Sequence, residues 1–398
     1  MKVIVAGAGP GSDLLLTEQM KQAAAGADTV LTTEHLADTA ASITDRFTIM
    51  KIGDMLQYIR EHGDRDETVC ILASGDTGYY SIASTVRRML PEKASLEFIP
   101  GISSMQYLCA VTQHSYENMR LISLHGREGS IIPYVCYNPS VFALTGGDTK
   151  AGDVIKDLAD CGLGGVTVYV GERLTMENER IVSGTAAELS GQKFGDLACV
   201  IIDNPKAADP YRKLADEDFV RGKAPMTKEA VRDLAAAELA IHPGDVVIDV
   251  GAGTGAMTCC LAQKARDSVV YAIEKSPEAA ALIRQNMEHL GIYNIRLVCG
   301  SAPEDMSGFP AADKVFIGGS SGNLSDIVRQ IWNKSPGAEI LVTAVTMETQ
   351  AEAFQLFEKL GADISVRLVS AASAHKLGNY HLMKADNPVW LIKGVQKI

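Results

Sequence analysis

The sequence lacks any hydrophobic run that reaches the roughly 20 residues of a membrane-spanning helix. It also lacks the pattern of a signal peptide, because Met1-Lys2 leads directly into a short apolar strand. We therefore expect a cytoplasmic protein with no membrane partner.

The sequence also has fewer positively charged residues than negatively charged ones. The 398 residues contain 37 Lys+Arg against 49 Asp+Glu, a net charge of −12. A protein that binds nucleic acid by neutralising phosphates needs the opposite balance, so we expect no nucleic-acid partner. Most of the deficit lies in residues 1–204, with 16 Lys+Arg against 26 Asp+Glu, whereas residues 205–398 carry 21 and 23. The second half is therefore better suited to an anionic substrate.

The cysteines and the polar residues form no recognisable reactive set. None of the 8 cysteines belongs to a Cys-x-x-Cys pair. Cys70, Cys109, Cys199 and Cys299 stand singly in apolar surroundings, and we expect reduced core residues and no metal site. The sequence also has no nucleophile elbow and no Ser/His/Asp set. This favours an enzyme that works by positioning its reactants.

The length predicts more than one domain. With 46% hydrophobic residues, 398 residues exceed the usual size of a single domain. Apolar periodicity fades between residues 205 and 224, where Pro210 and Gly222 interrupt the chain. We therefore predict a domain at 1–204, a linker at 205–224 and a second domain at 225–398.

The stretch from Val246 to Cys260 carries the most specific chemistry. Val246–Val250 is apolar except for Asp249, as in a parallel strand that is covered on both faces. Three glycines follow at alternate positions, Gly251, Gly253 and Gly255, and residues 256–265 then predict a helix. Glycines allow a tight turn and let a ligand touch the main chain. The pattern indicates a loop that binds a nucleotide-like cofactor.

A second strand supports this interpretation. It ends in Glu274, 19 positions after Gly255, where a carboxylate can accept hydrogen bonds from two ribose hydroxyls. The Gly-x-Gly-x-Gly spacing only partly meets the dinucleotide rule, so an NAD-dependent oxidoreductase remains an alternative. The arrangement Asp249-x-Gly-x-Gly-x-Gly255 resembles the first motif of class I S-adenosylmethionine-dependent methyltransferases.

In the first half, apolar strands repeatedly enter glycine turns, the pattern of a parallel α/β sheet. The turns are Gly7–Gly11, Ser74-Gly75-Asp76, Pro100–Ser104, Leu124–Arg127 and Leu144–Gly147. This set resembles the tetrapyrrole (uroporphyrin/corrin) methylase family, the class III methyltransferases, although Thr77 stands where many members have proline. The resemblance implies a two-lobed α/β domain over residues 1–204. It places S-adenosylmethionine against Pro10, Ser74, Gly75, Asp76, Ser103, Ser104, Leu144 and Thr145.

The second half resembles the decarboxylating precorrin methyltransferase family. The motifs are Met226–Glu229, Asp249–Gly255, Gly300–Glu304 and Phe316–Gly322. The resemblance implies a Rossmann-like class I domain with a second S-adenosylmethionine. We expect its cofactor to contact Thr227, Asp249, Gly251, Gly253, Gly255, Glu274, Ser301, Ala302, Gly318 and Gly319. Thr227 is also the predicted N-cap of the helix that follows.

Together the two resemblances imply a methyltransferase of cobalamin biosynthesis that acts on a corrin precursor, either a precorrin or a cobalt-precorrin. The first domain would methylate C5, and the second would methylate C15 with loss of the C12 acetate carboxyl. The glycine-rich Ile317-Gly318-Gly319 leaves room for a wide ring and lacks the Asn-Pro-Pro-Tyr-type motif of nucleic-acid methyltransferases, the other alternative. We also expect one cofactor per domain and a homo-oligomer.

Six residues are candidate substrate contacts because they are cationic or can titrate: His125, Arg127, Lys228, Arg232, His375 and Lys376. Each has a plainer interpretation. His125 is equally consistent with an ordinary loop histidine, and Lys228, Arg232, His375 and Lys376 with solvated surface groups. Arg127 suits a substrate carboxylate better than a plain surface charge, because its guanidinium can bind a carboxylate bidentately. Asp76, likewise, suits either the cofactor loop or the cap of the next helix.

Overall fold

The structure is a computed structural model that describes residues 1–90, 94–126 and 129–397. Contacts between these residues divide the chain into two compact units. The first unit holds most of the first 203 residues. The second holds the chain from Asn204 onward together with two earlier segments, Gly129–Pro139 and Asp160–Leu163. Across the described ranges, no helix is long and apolar enough to cross a membrane.

The first unit begins with a parallel five-stranded sheet in the order β3-β2-β4-β1-β5. Its strands are β1 (Lys2–Gly7), β2 (Thr29–Thr32), β3 (Phe47–Ile49), β4 (Thr68–Ala73) and β5 (Ser95–Ile99). Its helices are α1 (Glu18–Gly26), α2 (Ala37–Ala41), α3 (Ile52–His62), α4 (Ala83–Met89) and α5 (Ser104–Thr112). The central strands are apolar throughout because two separate hydrophobic clusters cover their two faces.

A second five-stranded sheet completes this unit, in the order β6-β7-β10-β8-β9. Its strands are β6 (Arg120–Ser123), β7 (Ser140–Leu144), β8 (Thr167–Glu172), β9 (Arg180–Thr185) and β10 (Ala198–Asp203). The helices in this part of the sequence are α6 (Ile132–Tyr137), α7 (Ala151–Leu158) and α8 (Ala186–Leu189). β6 and β7 are parallel, and the other pairs are antiparallel. Two α/β sheets in one unit match the predicted two-lobed domain.

The second unit contains a seven-stranded sheet in the order β13-β12-β11-β14-β15-β19-β16. Its strands are β11 (Val247–Val250), β12 (Val270–Glu274), β13 (Ile295–Cys299), β14 (Lys314–Ile317), β15 (Glu339–Ala344), β16 (Asp363–Val369) and β19 (Val389–Val395). Its helices are α9 (Glu229–Leu239), α10 (Ala256–Lys264), α11 (Pro277–Leu290), α12 (Leu324–Lys334) and α13 (Met347–Lys359). The order reverses at β11, and ligands of such sheets bind at the carboxyl ends of the strands beside the reversal. The predicted Rossmann-like fold is confirmed.

Helix α6 packs in the second unit although it lies between β6 and β7 in the sequence. The hydroxyl of Tyr137 donates to Asn294 Oδ1 at 2.9 Å, and both side chains are buried. Asn294 in turn donates to the carbonyls of Ala262 and Ser268, each at 3.0 Å. Asn294 therefore joins α6 to the end of α10 and to the segment that leads into β12.

The segment predicted as a linker is also packed in the second unit. Leu214 and Phe219 are each only 5% exposed. Arg232, 1% exposed, donates to Asp216 Oδ1 at 2.6 Å and to the Leu214 carbonyl at 2.8 Å, and its guanidinium lies over the Phe219 ring. The prediction that Arg232 contacts substrate is wrong, because its guanidinium is buried and already donates hydrogen bonds to Asp216 and to the Leu214 carbonyl.

Two further expectations need correction. Cys70, Cys109 and Cys199 are buried, but Cys299 is exposed because it ends β13 at the edge of the sheet. The residue that caps α9 is Lys228 and not Thr227, whose carbonyl accepts a hydrogen bond from Arg232. His375 and Lys376 lie on β17 (Ala372–Leu377), which, among the residues that the structure describes, pairs with β18 (Tyr380–Ala385) alone in an exposed hairpin.

Asp249 is completely buried in the middle of β11. Its Oδ2 accepts a hydrogen bond from Thr258 Oγ1 at 2.5 Å, and its Oδ1 has no partner within the described part of the chain. Burial raises the pKa of the Asp249 carboxyl from 3.8 to about 7, an effect that the Thr258 hydroxyl opposes and that Glu274 reinforces. The folded protein therefore holds this proton at pH values where the unfolded chain has released it.

This difference predicts a pH-dependent effect of Asp249→Asn on the free energy of unfolding. The stability that the neutral carboxyl contributes is fully present below pH 3.8 and is lost as the pH rises to about 7. Asn keeps an acceptor for Thr258 but does not titrate. We expect the free energy of unfolding of Asp249→Asn, measured by urea titration, to rise relative to that of the wild type. The rise should be about 1.4 kcal/mol per pH unit between pH 3.8 and about 7. A difference between Asp249→Asn and the wild type that stays constant with pH would contradict this explanation.

Candidate active sites

The first unit contains a cavity of about 400 Å³ where the loops that follow its strands meet. It brings together all the residues that the tetrapyrrole methylase resemblance assigns to the cofactor. They follow β1 (Pro10), β4 (Ser74, Gly75, Asp76), β5 (Ser103, Ser104) and β7 (Leu144, Thr145). Parallel strands present their carboxyl ends at one edge, which is why loops far apart in the sequence share this cavity. Their contact with a cofactor remains a prediction.

Three of these loops touch backbone to backbone. A Cβ atom on Gly7 would lie 2.6 Å from Gly101 N, and one on Gly101 would lie 2.4 Å from Gly75 O. Asp76 ties the same loops together, because its Oδ1 accepts from Gly101 N at 3.1 Å and its Oδ2 from Gly78 N at 2.8 Å. Asp76 therefore bridges two loops and does not cap α4.

Ser103 lines this cavity and caps the N-terminus of α5. Its Oγ accepts from Gln106 N at 3.2 Å, and its own amide donates to Gln106 Oε1 at 2.9 Å, which completes a capping box for α5. A capped N-terminus carries partial positive charge and suits an anionic group.

His125 also lines this cavity, with Nδ1 at 3.3 Å from the Thr145 carbonyl. Arg127, the other candidate in this loop, lies outside the described residues. Sequence reasoning did not identify Tyr79, which follows the Ser74–Asp76 turn closely enough to have been considered. Its hydroxyl donates to the Ile122 carbonyl at 2.7 Å, and burial raises its pKa far above the usual value.

The second unit contains a larger cavity, of about 780 Å³, at the carboxyl ends of β11, β12, β13 and β14. Most of the residues that the second resemblance assigns to the cofactor line it: Gly251, Gly253, Glu274, Ser301, Ala302, Gly318 and Gly319. The position beside the strand-order reversal is where such sheets bind ligands.

Glu274 organises this cavity. It is 8% exposed, and its Oε2 accepts from Gly253 N at 2.8 Å while its Oε1 accepts from Ser276 N at 2.9 Å. Each carboxylate oxygen can accept a second hydrogen bond. The side chain thus fixes the glycine loop and keeps acceptors for the cavity, as the ribose prediction requires.

The positions Gly251 and Gly255 require glycine for different structural reasons. At Gly251, with φ of +72°, a Cβ atom would lie 2.5 Å from Gly319 O, so the loops after β11 and β14 are in backbone contact. At Gly255 a Cβ atom would lie 3.0 Å from the Ile283 side chain, so this glycine allows α11 to pack closely. Thr227, Asp249 and Gly255 are not among the residues that line the cavity.

The cavity wall includes cationic groups that sequence reasoning did not select, Lys223 and Lys275. Lys275 directly follows Glu274 and could have been found from that position. The candidates that were selected lie elsewhere: Lys228 reaches toward Asp216, at 3.7 Å, and His375 and Lys376 are on the exposed hairpin. A carboxylate-bearing ligand in this cavity would therefore meet Lys223 and Lys275.

Comparison with known proteins identifies both halves. Residues 218–395 match the family described as precorrin methyltransferase domain, and residues 2–190 match the tetrapyrrole (corrin/porphyrin) methylases. A probable cobalt-precorrin-6B C(15)-methyltransferase (decarboxylating) from Methanothermobacter thermautotrophicus is 35% identical over 183 residues, 45% of this chain and 94% of that protein.

The chain is also similar to a relative that matches both of its halves and to a solved structure. A precorrin-6Y C(5,15)-methyltransferase (decarboxylating) from Sinorhizobium sp. is 26% identical over 332 residues, 82% of this chain and 79% of that protein. The structure of a precorrin-6Y C5,15-methyltransferase from Geobacter metallireducens GS-15 is 29% identical and has a TM-score of 0.45, over 46% of this chain and 97% of that one. Because the Methanothermobacter protein is 35% identical over 94% of its length, the chain belongs to the precorrin methyltransferase family, and its first half carries a tetrapyrrole methylase domain.

Proposed function

We propose that the chain is a bifunctional S-adenosylmethionine-dependent methyltransferase of corrin biosynthesis. The cavity of the first unit methylates a corrin precursor at C5. The cavity of the second unit methylates C15 and releases the C12 acetate carboxyl as carbon dioxide. The observation that carries the proposal is the pair of separate cavities, each lined by the loops that its own methyltransferase resemblance assigns to the cofactor.

The names of the relatives support this division. The Methanothermobacter protein matches 45% of the chain and is named for C15 methylation with decarboxylation. The Sinorhizobium protein matches 82% and is named for both C5 and C15. Because the precorrin methyltransferase domain spans residues 218–395, we assign C15 to the second unit and C5 to the first.

Methyltransferases of this family use S-adenosylmethionine, which supplies an already activated methyl group. We propose one cofactor in each cavity. The chain's own work is then to hold the ring carbon in line with the methyl group and to exclude water. In the second unit, Glu274 would hold the ribose hydroxyls, and the glycine edge at Gly318-Gly319 would leave room for the ring. Lys223 and Lys275 would pair with the carboxylates of the ring.

Blocking one cavity at a time tests the division of labour. An arginine at Gly253 is disfavoured by the φ of +57° and by a Cβ contact of 3.1 Å with the Pro225 carbonyl, and its long side chain would fill part of the cavity that Gly253 lines. We expect Gly253→Arg to lose C15 methylation and carbon dioxide release and to keep C5 methylation, measured by product mass and trapped gas. Gly75→Arg should do the reverse.

The controls are Gly308→Arg in the second unit and Gly26→Arg in the first, because both glycines are exposed and nothing lies near their Cβ positions. Both should retain both reactions. Carbon dioxide release that survives Gly253→Arg, or that disappears with Gly75→Arg while C15 is still methylated, would show that the chemistry is assigned to the wrong units.

Glu274→Ala tests the ribose contact. The substitution removes charged acceptors, and hydrogen bonds to charged groups contribute about 1.5–3 kcal/mol. We expect S-adenosylhomocysteine to bind the second unit roughly 10- to 150-fold more weakly in calorimetric titrations, while binding in the first unit is unchanged. Glu278→Ala is the matched control, since Glu278 lines the same cavity but makes no described bond to the glycine loop. An unchanged dissociation constant for Glu274→Ala would remove Glu274 from the site.

A further inference from the structure

The hydrogen bond of His125 determines the tautomer of its neutral ring. Nδ1 lies 3.3 Å from the carbonyl oxygen of Thr145. A carbonyl oxygen can only accept, so Nδ1 carries the proton, and Nε2 of the neutral ring has a free lone pair. His125 is exposed at the rim of the cavity of the first unit, so a proton taken up there can pass on to water.

The backbone at Gly146 leaves space for the imidazole ring of His125. Gly146 has φ of +129°, and a Cβ atom there would lie 2.6 Å from His125 Nδ1 and 2.8 Å from the Asp196 carbonyl. A residue with a Cβ atom at position 146 would clash with the His125 ring, so this position needs glycine. The ring is therefore held against Thr145-Gly146, the loop after β7 that we propose to hold the cofactor. His125 thus lines the same cavity as Leu144 and Thr145, the residues of that loop that we propose to contact the cofactor.

Other titratable groups of the described cavity are less suited to take up a proton. Both oxygens of Asp76 accept from backbone amides, and Asp196 pairs with Lys150 at 3.0 Å. Tyr79 keeps its proton because burial raises its pKa. His35 remains as a competitor, but its Nδ1 faces the Thr33 hydroxyl at 3.1 Å, a group that can donate or accept and so does not fix a free base.

The reaction proposed for this cavity needs a base. Electrons of the corrin ring form the new carbon–carbon bond to the methyl group as the bond from sulfur to that methyl group breaks. The ring then carries one extra positive charge, which it loses by releasing one proton. We infer that His125 is the general base of the C5 methylation and accepts this proton at Nε2. The inference rests on the proposed function and adds a catalytic residue to it.

The test compares His125→Asn and His125→Gln with His35→Asn in the full-length chain. Asn keeps an N–H donor near the Nδ1 position but cannot take up the proton. We expect kcat for C5 methylation to fall by about 10²- to 10⁴-fold in both His125 variants, with KM nearly unchanged, and added imidazole to restore part of the rate. His62→Asn, at a histidine on α3 that is not among the residues lining the cavity, should retain the wild-type rate. His35→Asn should show no loss of rate that imidazole restores. Calorimetric binding of S-adenosylhomocysteine in the first unit checks that each variant is folded.

Several outcomes would overturn the inference. One is a wild-type C5 rate in a folded His125 variant. Another is a rate lost through a raised KM without rescue by imidazole, which would make His125 a binding group only. A third is an imidazole-rescued loss in His35→Asn, which would identify His35 as the base. If the wild-type chain itself transferred no methyl group to C5, the proposed function would fail first, so the two failures are distinguishable.

Discussion

Direct contact between backbones at the ends of parallel strands is the constraint on which both cavities depend. Gly251 lies against Gly319 in the second unit, and Gly7, Gly75 and Gly101 lie against one another in the first. A Cβ atom at Gly7, Gly101 or Gly251 would overlap main-chain atoms at 2.4 to 2.7 Å, so larger residues would push the loops apart. Because the loops meet in this way, a ligand at the strand ends encounters main-chain groups from several strands at once.

In each unit a carboxylate then holds the loops in place. Glu274 accepts from the amides of Gly253 and Ser276, and Asp76 accepts from those of Gly78 and Gly101. Each bond is charge-assisted, which makes it stronger than a bond between neutral groups. The two units have different sheet orders, yet both rely on one acidic side chain that satisfies two backbone donors. Such preorganised loops suit an enzyme whose chief work is positioning.

Local pattern was enough to predict the strands, the glycine turns and a set of cofactor residues, most of which line the two cavities. Apolar runs between glycine turns specify parallel strands, and parallel strands bring their following loops to one edge. This is why Pro10, Asp76 and Thr145 could be expected to meet, although the sequence separates them widely. The same reasoning placed Gly251 and Glu274 together.

What the sequence could not supply is the partner of a residue in three dimensions. A glycine in a loop is consistent with a ligand or with a packed helix, and at Gly255 the reason is Ile283. A strand residue points to one face or the other, and Asp249 points into the core. Arg232 suited a substrate carboxylate by charge alone, but Asp216 pairs with it from a segment that showed no apolar periodicity. Nothing local indicated that Tyr137 bonds Asn294, 157 positions away.

We propose that one chain holds two independent methyl-donor sites. Calorimetric titration of the full-length protein with S-adenosylhomocysteine measures this directly, with NADH as the competing ligand. We expect two molecules of S-adenosylhomocysteine per chain and no binding of NADH. A single site per chain, or binding of NADH alone, would contradict it.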